Sequence, residues 1–142
     1  IFPSPRNVKF NEMEYAVPAA NGVDCIREIA EVIRNRNIAG VFPIEFRFVK
    51  ADDIWISPFY RRDAVTISVH QYHRQSYDTL FNAAEAIFRR YGGRPHWGKL
   101  HTLKAADFER LYPKWGDFRA LRARLDPKGK LLNPHLKTVF GA

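Results

Sequence analysis

The chain has 142 residues, 46% of them hydrophobic and eleven of them Phe, which fits one domain with a substantial core. No run approaches the ~20 apolar residues of a membrane helix, no signal peptide is visible, and a single cysteine, Cys25, excludes an internal disulfide. The formal charge of +8 suits an anionic cofactor or an acidic partner, but the basic residues are spread along the chain rather than gathered, so no nucleic acid is expected.

The opening residues Ile1-Phe2-Pro3-Ser4-Pro5 lack an initiator Met and read as a chain entered partway. Val8 to Val17 predicts a strand, ended by Pro18. Asn21 is expected to cap a helix running to about Asn37, with Asp24 at its third position and Val23, Ile26, Ile29, Ala30 and Ile33 in one apolar stripe. Cys25 falls in that pattern and reads as a buried thiol. Gly40 separates the helix from a second strand over 41–49.

A connection rich in aromatics, centred on Trp55 to Tyr60, leads to a third strand over 64–72. Gln75-Ser76 opens a second helix to about Tyr91, and Gly92-Gly93 stop it. A short extended piece, 94–98, completes the order strand, helix, strand, strand, helix, strand. That order predicts an α+β fold: a ferredoxin-like split βαβ antiparallel sheet with helices on one face, over residues 8–103. Residues 104–142 form a tail, with short helices expected over Lys104–Leu111 and Asp117–Leu125, Asp117 capping the second. A turn over Asp126–Lys130 and an irregular apolar segment, Leu131–Leu136, follow.

The most informative spot is Glu45 and Arg47 within Phe42-Pro43-Ile44-Glu45-Phe46-Arg47-Phe48. Residues i and i+2 of a strand share a face, so this pair points away from Ile44, Phe46 and Phe48. Charges are costly to bury unless paired or used. The pair is thus either a salt bridge on a solvated sheet or part of a site. His70 falls on the same predicted face with Thr66 and Ser68, and Lys99 follows the short extended piece. Arg94-Pro95-His96-Trp97-Gly98-Lys99 combines an imidazole, an indole and an ammonium, a mix suited to an anionic or hydroxylated ligand. No metal-ligand spacing, catalytic triad order, P-loop or dinucleotide fingerprint is present. Any hard chemistry would have to come from a cofactor. A non-enzymatic basic binding module, or an assembly subunit pairing through its open sheet face, is the alternative.

Phe10 to Pro18, Val41 to Arg47, Val69-His70-Gln71-Tyr72, Arg94 to Lys99 and Leu125 to Leu136 together resemble, in order, the C-terminal part of the FAD-linked sugar-lactone and alditol oxidases of the vanillyl-alcohol-oxidase group. The resemblance implies a substrate or cap domain whose FAD-binding domain lies in the same or a companion chain. It further implies a sugar lactone or polyol substrate, FAD as cofactor held mainly by that other domain, and oxygen or another electron acceptor. By the same resemblance Glu45, Arg47 and Lys99 are the catalytic candidates and His70 and His96 the substrate-binding ones. Arg47, His96, Asn133 and His135 are the candidates for approaching the flavin, and the isolated chain is expected to be inactive.

Overall fold

The computed structural model describes residues 7–39 and 42–141. Four strands, β1 (Phe10–Pro18), β2 (Glu45–Val49), β3 (Ala64–Tyr72) and β4 (Arg94–Pro95), form one antiparallel sheet in the order β2-β3-β1-β4. Helices α1 (Gly22–Asn35) and α2 (Asp78–Arg90) pack on it. Three further helices follow: α3 (Ala105–Leu111), α4 (Trp115–Leu125) and α5 (Pro134–Phe140). No helix among the described residues is long and apolar enough to cross a membrane.

Strand periodicity divides the sheet. Met13, Tyr15 and Val17 of β1 and Val65, Ile67 and Val69 of β3 are buried with Cys25 and Ile29 of α1 and Leu80, Phe81, Ala84, Ile87 and Phe88 of α2. Each large side chain so buried contributes roughly 1.5–3 kcal/mol. Tyr15 stacks on Phe88 with centroids 4.8 Å apart and donates its hydroxyl to Glu85 Oε1 at 2.5 Å. Burial, then the Glu85 bond, push its phenol well above the usual range. Gly22 lets α1 start close to the sheet, because a Cβ there would lie 2.7 Å from Val65 Cγ2.

The third strand falls where periodicity puts it; other elements shift for local reasons. Asn21 makes no side-chain cap, since a 3-10 turn over Ala19–Asn21 has already bent its backbone into the helical region. The second strand begins only at Glu45: Pro43 has no N–H to give a ladder, and residue 41 lies outside the described residues. Phe46 packs against the core as expected, but Phe48 is 75% exposed beyond it, meeting Phe46 in a T-shaped contact at 5.4 Å. Gly92, at φ +64°, closes α2. Lys114, not Asp117, precedes α4; Asp117 sits in its first turn and pairs with Lys114 at 2.7 Å. The segment expected to be irregular becomes α5, started by Asn133 accepting from Leu136 N at 2.8 Å and by Pro134 at the first position.

The tail is held by an aromatic cluster. Trp97 lies 4.9 Å from Phe108 and 6.0 Å from Trp115, and Trp115 stacks on Phe140 at 5.0 Å. Phe108, Tyr112 and Trp115 are almost wholly buried.

Candidate functional site

The sheet face opposite α1 and α2 carries the ionisable groups. Pairing sets Glu12 opposite His70, Glu14 opposite Ser68, and Ala16 opposite Thr66; on the other side of β3, Glu45 faces Ser68 and Arg47 faces Thr66. This register brings together side chains that lie far apart in sequence. Arg47 Nη1 pairs with Glu45 Oε2 at 2.7 Å and Nη2 with Glu14 Oε2 at 3.2 Å. Its Nη2 also donates to Ser68 Oγ at 3.3 Å and its Nε to Thr66 Oγ1 at 3.4 Å. Ser68 in turn donates to Glu14 Oε2 at 2.8 Å. Glu45 and Arg47 therefore do form a salt bridge, but within a network that reaches across three strands. Both side chains stay about half exposed, so the guanidinium and carboxylate remain open to a ligand.

The second half of the face is built around Glu12. Its Oε2 pairs with Lys99 Nζ, and its Oε1 lies 3.5 Å from His70 Nε2. His70 Nδ1 sits 3.3 Å from the Pro43 carbonyl, so an acceptor borders each ring nitrogen. Lys99 reaches the face because the chain after β4 stays beside β1. His96 N donates to Glu14 O at 2.9 Å, Lys99 N to His96 O at 3.1 Å, and Leu100 N to Glu12 O at 3.0 Å. His96 is exposed, its Nδ1 accepting from Gly98 N at 3.0 Å.

Two clefts flank this network. One, of about 370 Å³, runs between Phe10, Phe42 and Pro43 and ends on Glu45 and His70. The other, about 170 Å³, lies between Glu14, Thr66, His96 and Phe59. The face is less open than expected, because the aromatic connection after β2 folds towards it. Arg94 donates to the carbonyls of Tyr60 (3.0 Å), Pro58 (3.3 Å) and Leu111 (2.9 Å). Trp97 Nε1 donates to Ile56 O at 3.2 Å. Arg62 donates to Ala16 O at 2.8 Å and Gly92 O at 2.9 Å, and burial pushes its guanidinium down to about 10. Arg62 and Arg94 thus act as clips, saturating carbonyls of the loop and the strands.

Glu45, Arg47, His70 and Lys99 meet on one face, and His96 borders it. Asn133 and His135 belong to the start of α5. Asn133 caps that helix, and the His135 ring stands 5.2 Å from His101; among the described residues no hydrogen bond or ion pair ties either to the charged face. Glu12 and Glu14 are the residues that sequence reasoning missed. Their spacing of two already placed them on one strand face, but only the pairing register shows which residues they meet.

A metal ion would find Glu12, Glu45 and His70 with ligand atoms within 4.8 Å of one another. Lys99 and Arg47 already neutralise those two carboxylates, so the donor set does not call for a cation. Towards an anionic or oxygen-rich group such as a flavin's, the face offers fixed donors in Arg47 and Lys99. The sequence carries no glycine-rich cradle for a diphosphate.

These side chains make a charged, hydrogen-bonded face on the antiparallel sheet of an α+β domain. Residues 1–139 match the model of the D-arabinono-1,4-lactone oxidase family. The chain is 43% identical over 141 residues to an L-gulono-1,4-lactone dehydrogenase of Mycobacterium tuberculosis, covering 99% of this chain and 33% of that protein. It is 37% identical over 135 residues to an L-gulonolactone oxidase of Scyliorhinus torazame, covering 89% and 30%. With an alditol oxidase of a Streptomyces species it shares 32% identity over 132 residues, covering 91% and 31%. The chain belongs to the D-arabinono-1,4-lactone oxidase family of FAD-linked oxidoreductases. It spans about a third of the length of these relatives.

Proposed function

We propose that this chain is the C-terminal substrate domain of a flavoprotein that oxidises a sugar-1,4-lactone or an alditol. Family membership supports the class of reaction, and the strand order β2-β3-β1-β4 supports reading residues 8–103 as a ferredoxin-like split βαβ core with 104–142 as its helical tail. The observation that carries the reading is the convergence of Arg47 and Lys99, from β2 and from the segment after β4, on carboxylates of one sheet face. FAD, held mainly by a partner domain, would supply the acceptor for a hydride from the substrate, with oxygen or another acceptor taking the electrons onward.

In this reading the chain's residues bind and orient. A lactone or polyol is neutral and rich in hydroxyls, so it asks for donors and acceptors at fixed spacing rather than an apolar slot. Glu45 accepts from substrate hydroxyls. Arg47, braced by Glu14, Ser68 and Thr66, donates to substrate oxygen and offsets negative charge on the cofactor side. Lys99 holds the oxygen of the hydroxyl undergoing oxidation, while His70 and His96 contact neighbouring hydroxyls at the mouths of the two clefts. Asn133 and His135 would approach the cofactor only through α5.

The test is Lys99→Ala in the complete flavin-loaded protein. Turnover of a sugar-1,4-lactone should fall ~10²–10³-fold, the cost of removing a fixed donor at a reacting oxygen, with flavin content and Tm kept. Wild-type kinetics would overturn the reading.

A further inference from the structure

Among the described residues the side chains of Glu12, Glu14 and Glu85 are largely buried, and their partners differ in kind; Glu14 meets Arg47 and Ser68 on the charged face. Glu85, on α2, accepts from Tyr15 Oη, Thr102 N and Thr102 Oγ1. Those donors are neutral, and they explain the residue as a clip between α2, β1 and the chain leading into α3. Glu12 has no such set. Its side chain is only 12% exposed, and its partners among the described residues are the two ionisable groups Lys99 and His70. Burying a charge there costs free energy that a well-packed apolar residue would not. A carboxylate at this point therefore needs a reason beyond packing.

The reason lies in its two partners. Lysine has a flexible four-carbon stem and loses much rotamer freedom when fixed. Glu12 Oε2 takes the Lys99 ammonium, while the Glu12 backbone carbonyl takes Leu100 N at 3.0 Å, so one residue holds both the side chain and the backbone of that segment. Glu12 Oε1 stands 3.5 Å from His70 Nε2 and the Pro43 carbonyl 3.3 Å from Nδ1, so an acceptor borders each ring nitrogen. The two groups come from opposite sides of β1, yet their relative placement is set by one carboxylate.

We propose that Glu12 is a positioning residue, which orients Lys99 and His70 together towards the same substrate. The inference rests on the substrate-facing role given to Lys99 above. Glu12 touches neither reactant. It acts by keeping the ammonium and the imidazole at a constant separation, so that two oxygens of one polyol or lactone meet both.

The test uses Glu12→Gln, Lys99→Ala and the double variant in the complete flavoprotein. Glu12→Gln keeps the shape and removes the charge. It should lower kcat about 100-fold, the scale for a misplacement of about 1 Å, with KM within about threefold of wild type and flavin content and Tm unchanged. The double variant should be slower than Lys99→Ala alone, through His70, but by less than the product of the two single effects. Nitrogen NMR of the Lys99 ammonium should show a restrained signal in the wild type and a freely rotating one in Glu12→Gln, a readout independent of turnover. Wild-type kcat in Glu12→Gln beside a slow Lys99→Ala would overturn this proposal and leave the role of the face standing. Wild-type kcat in Lys99→Ala would overturn both. Loss of the folded, flavin-loaded state in both Glu12→Gln and Glu12→Met would make Glu12 structural and overturn the positioning role.

Discussion

The charged sheet face and the aromatic tail cluster are both fastened to the same short stretch, residues 94–102, yet they are built by opposite rules. In the cluster, Trp97, Phe108, Trp115 and Phe140 gain by excluding water, and the rings of Phe108 and Phe140 are replaceable in kind if volume is kept. On the face, Glu12, Glu14, Arg47 and Lys99 gain little net stability from their pairing, and in the function proposed for the face their value is geometric. Trp97 and Lys99, two residues apart, belong to different regimes. One anchors the segment and the other is what the segment delivers.

That contrast breaks if damage to the cluster leaves stability intact. Trp115→Ala should cost about 3–5 kcal/mol in urea unfolding, as for other large buried aromatics, because Trp115 is 1% exposed. Next in size, Glu85→Ala strands the Tyr15 hydroxyl and Thr102 N, and should cost about 1–3 kcal/mol. Both losses should exceed any stability change caused by Lys99→Ala.

A smaller effect sharpens the boundary between the regions. His101, beside the cluster, is held below its usual 6.5 by burial and then by neighbouring His135. The unfolded chain therefore binds a proton more readily than the folded one, so stability is full above about pH 6.5 and declines as pH falls towards the depressed folded value. Tm should drop between pH 7.5 and 5.5, and His101→Gln should flatten part of that slope. Smallest of all, Cys25 is buried and its thiol is pushed up to about 12. A thiol reagent at pH 8 should leave it unlabelled until denaturant is added.

The two regions were unequally legible in the sequence. Period-two alternation was enough to put Glu45 and Arg47 opposite Phe46 and to place β3 over 64–72. It gave no register, and register is what turns Glu12 into the partner of His70 and Glu14 into that of Ser68. Phe48 escaped because alternation assigns a face but not how far the helices extend over it. In the tail, Asn133-Pro134 carried a helix-start signal that the surrounding apolar residues obscured. The clips made by Arg62 and Arg94 to carbonyls have no signature in sequence, since any backbone can accept.

The central claim is that this face orients the substrate, and Arg47 tests it most directly because it touches Glu45, Glu14, Ser68 and Thr66 at once. The measurement is the rate of flavin reduction by a sugar-1,4-lactone, without oxygen, in the complete protein carrying Arg47→Ala. The account predicts a fall of ~10²–10³-fold at unchanged flavin content. A wild-type reduction rate would contradict it.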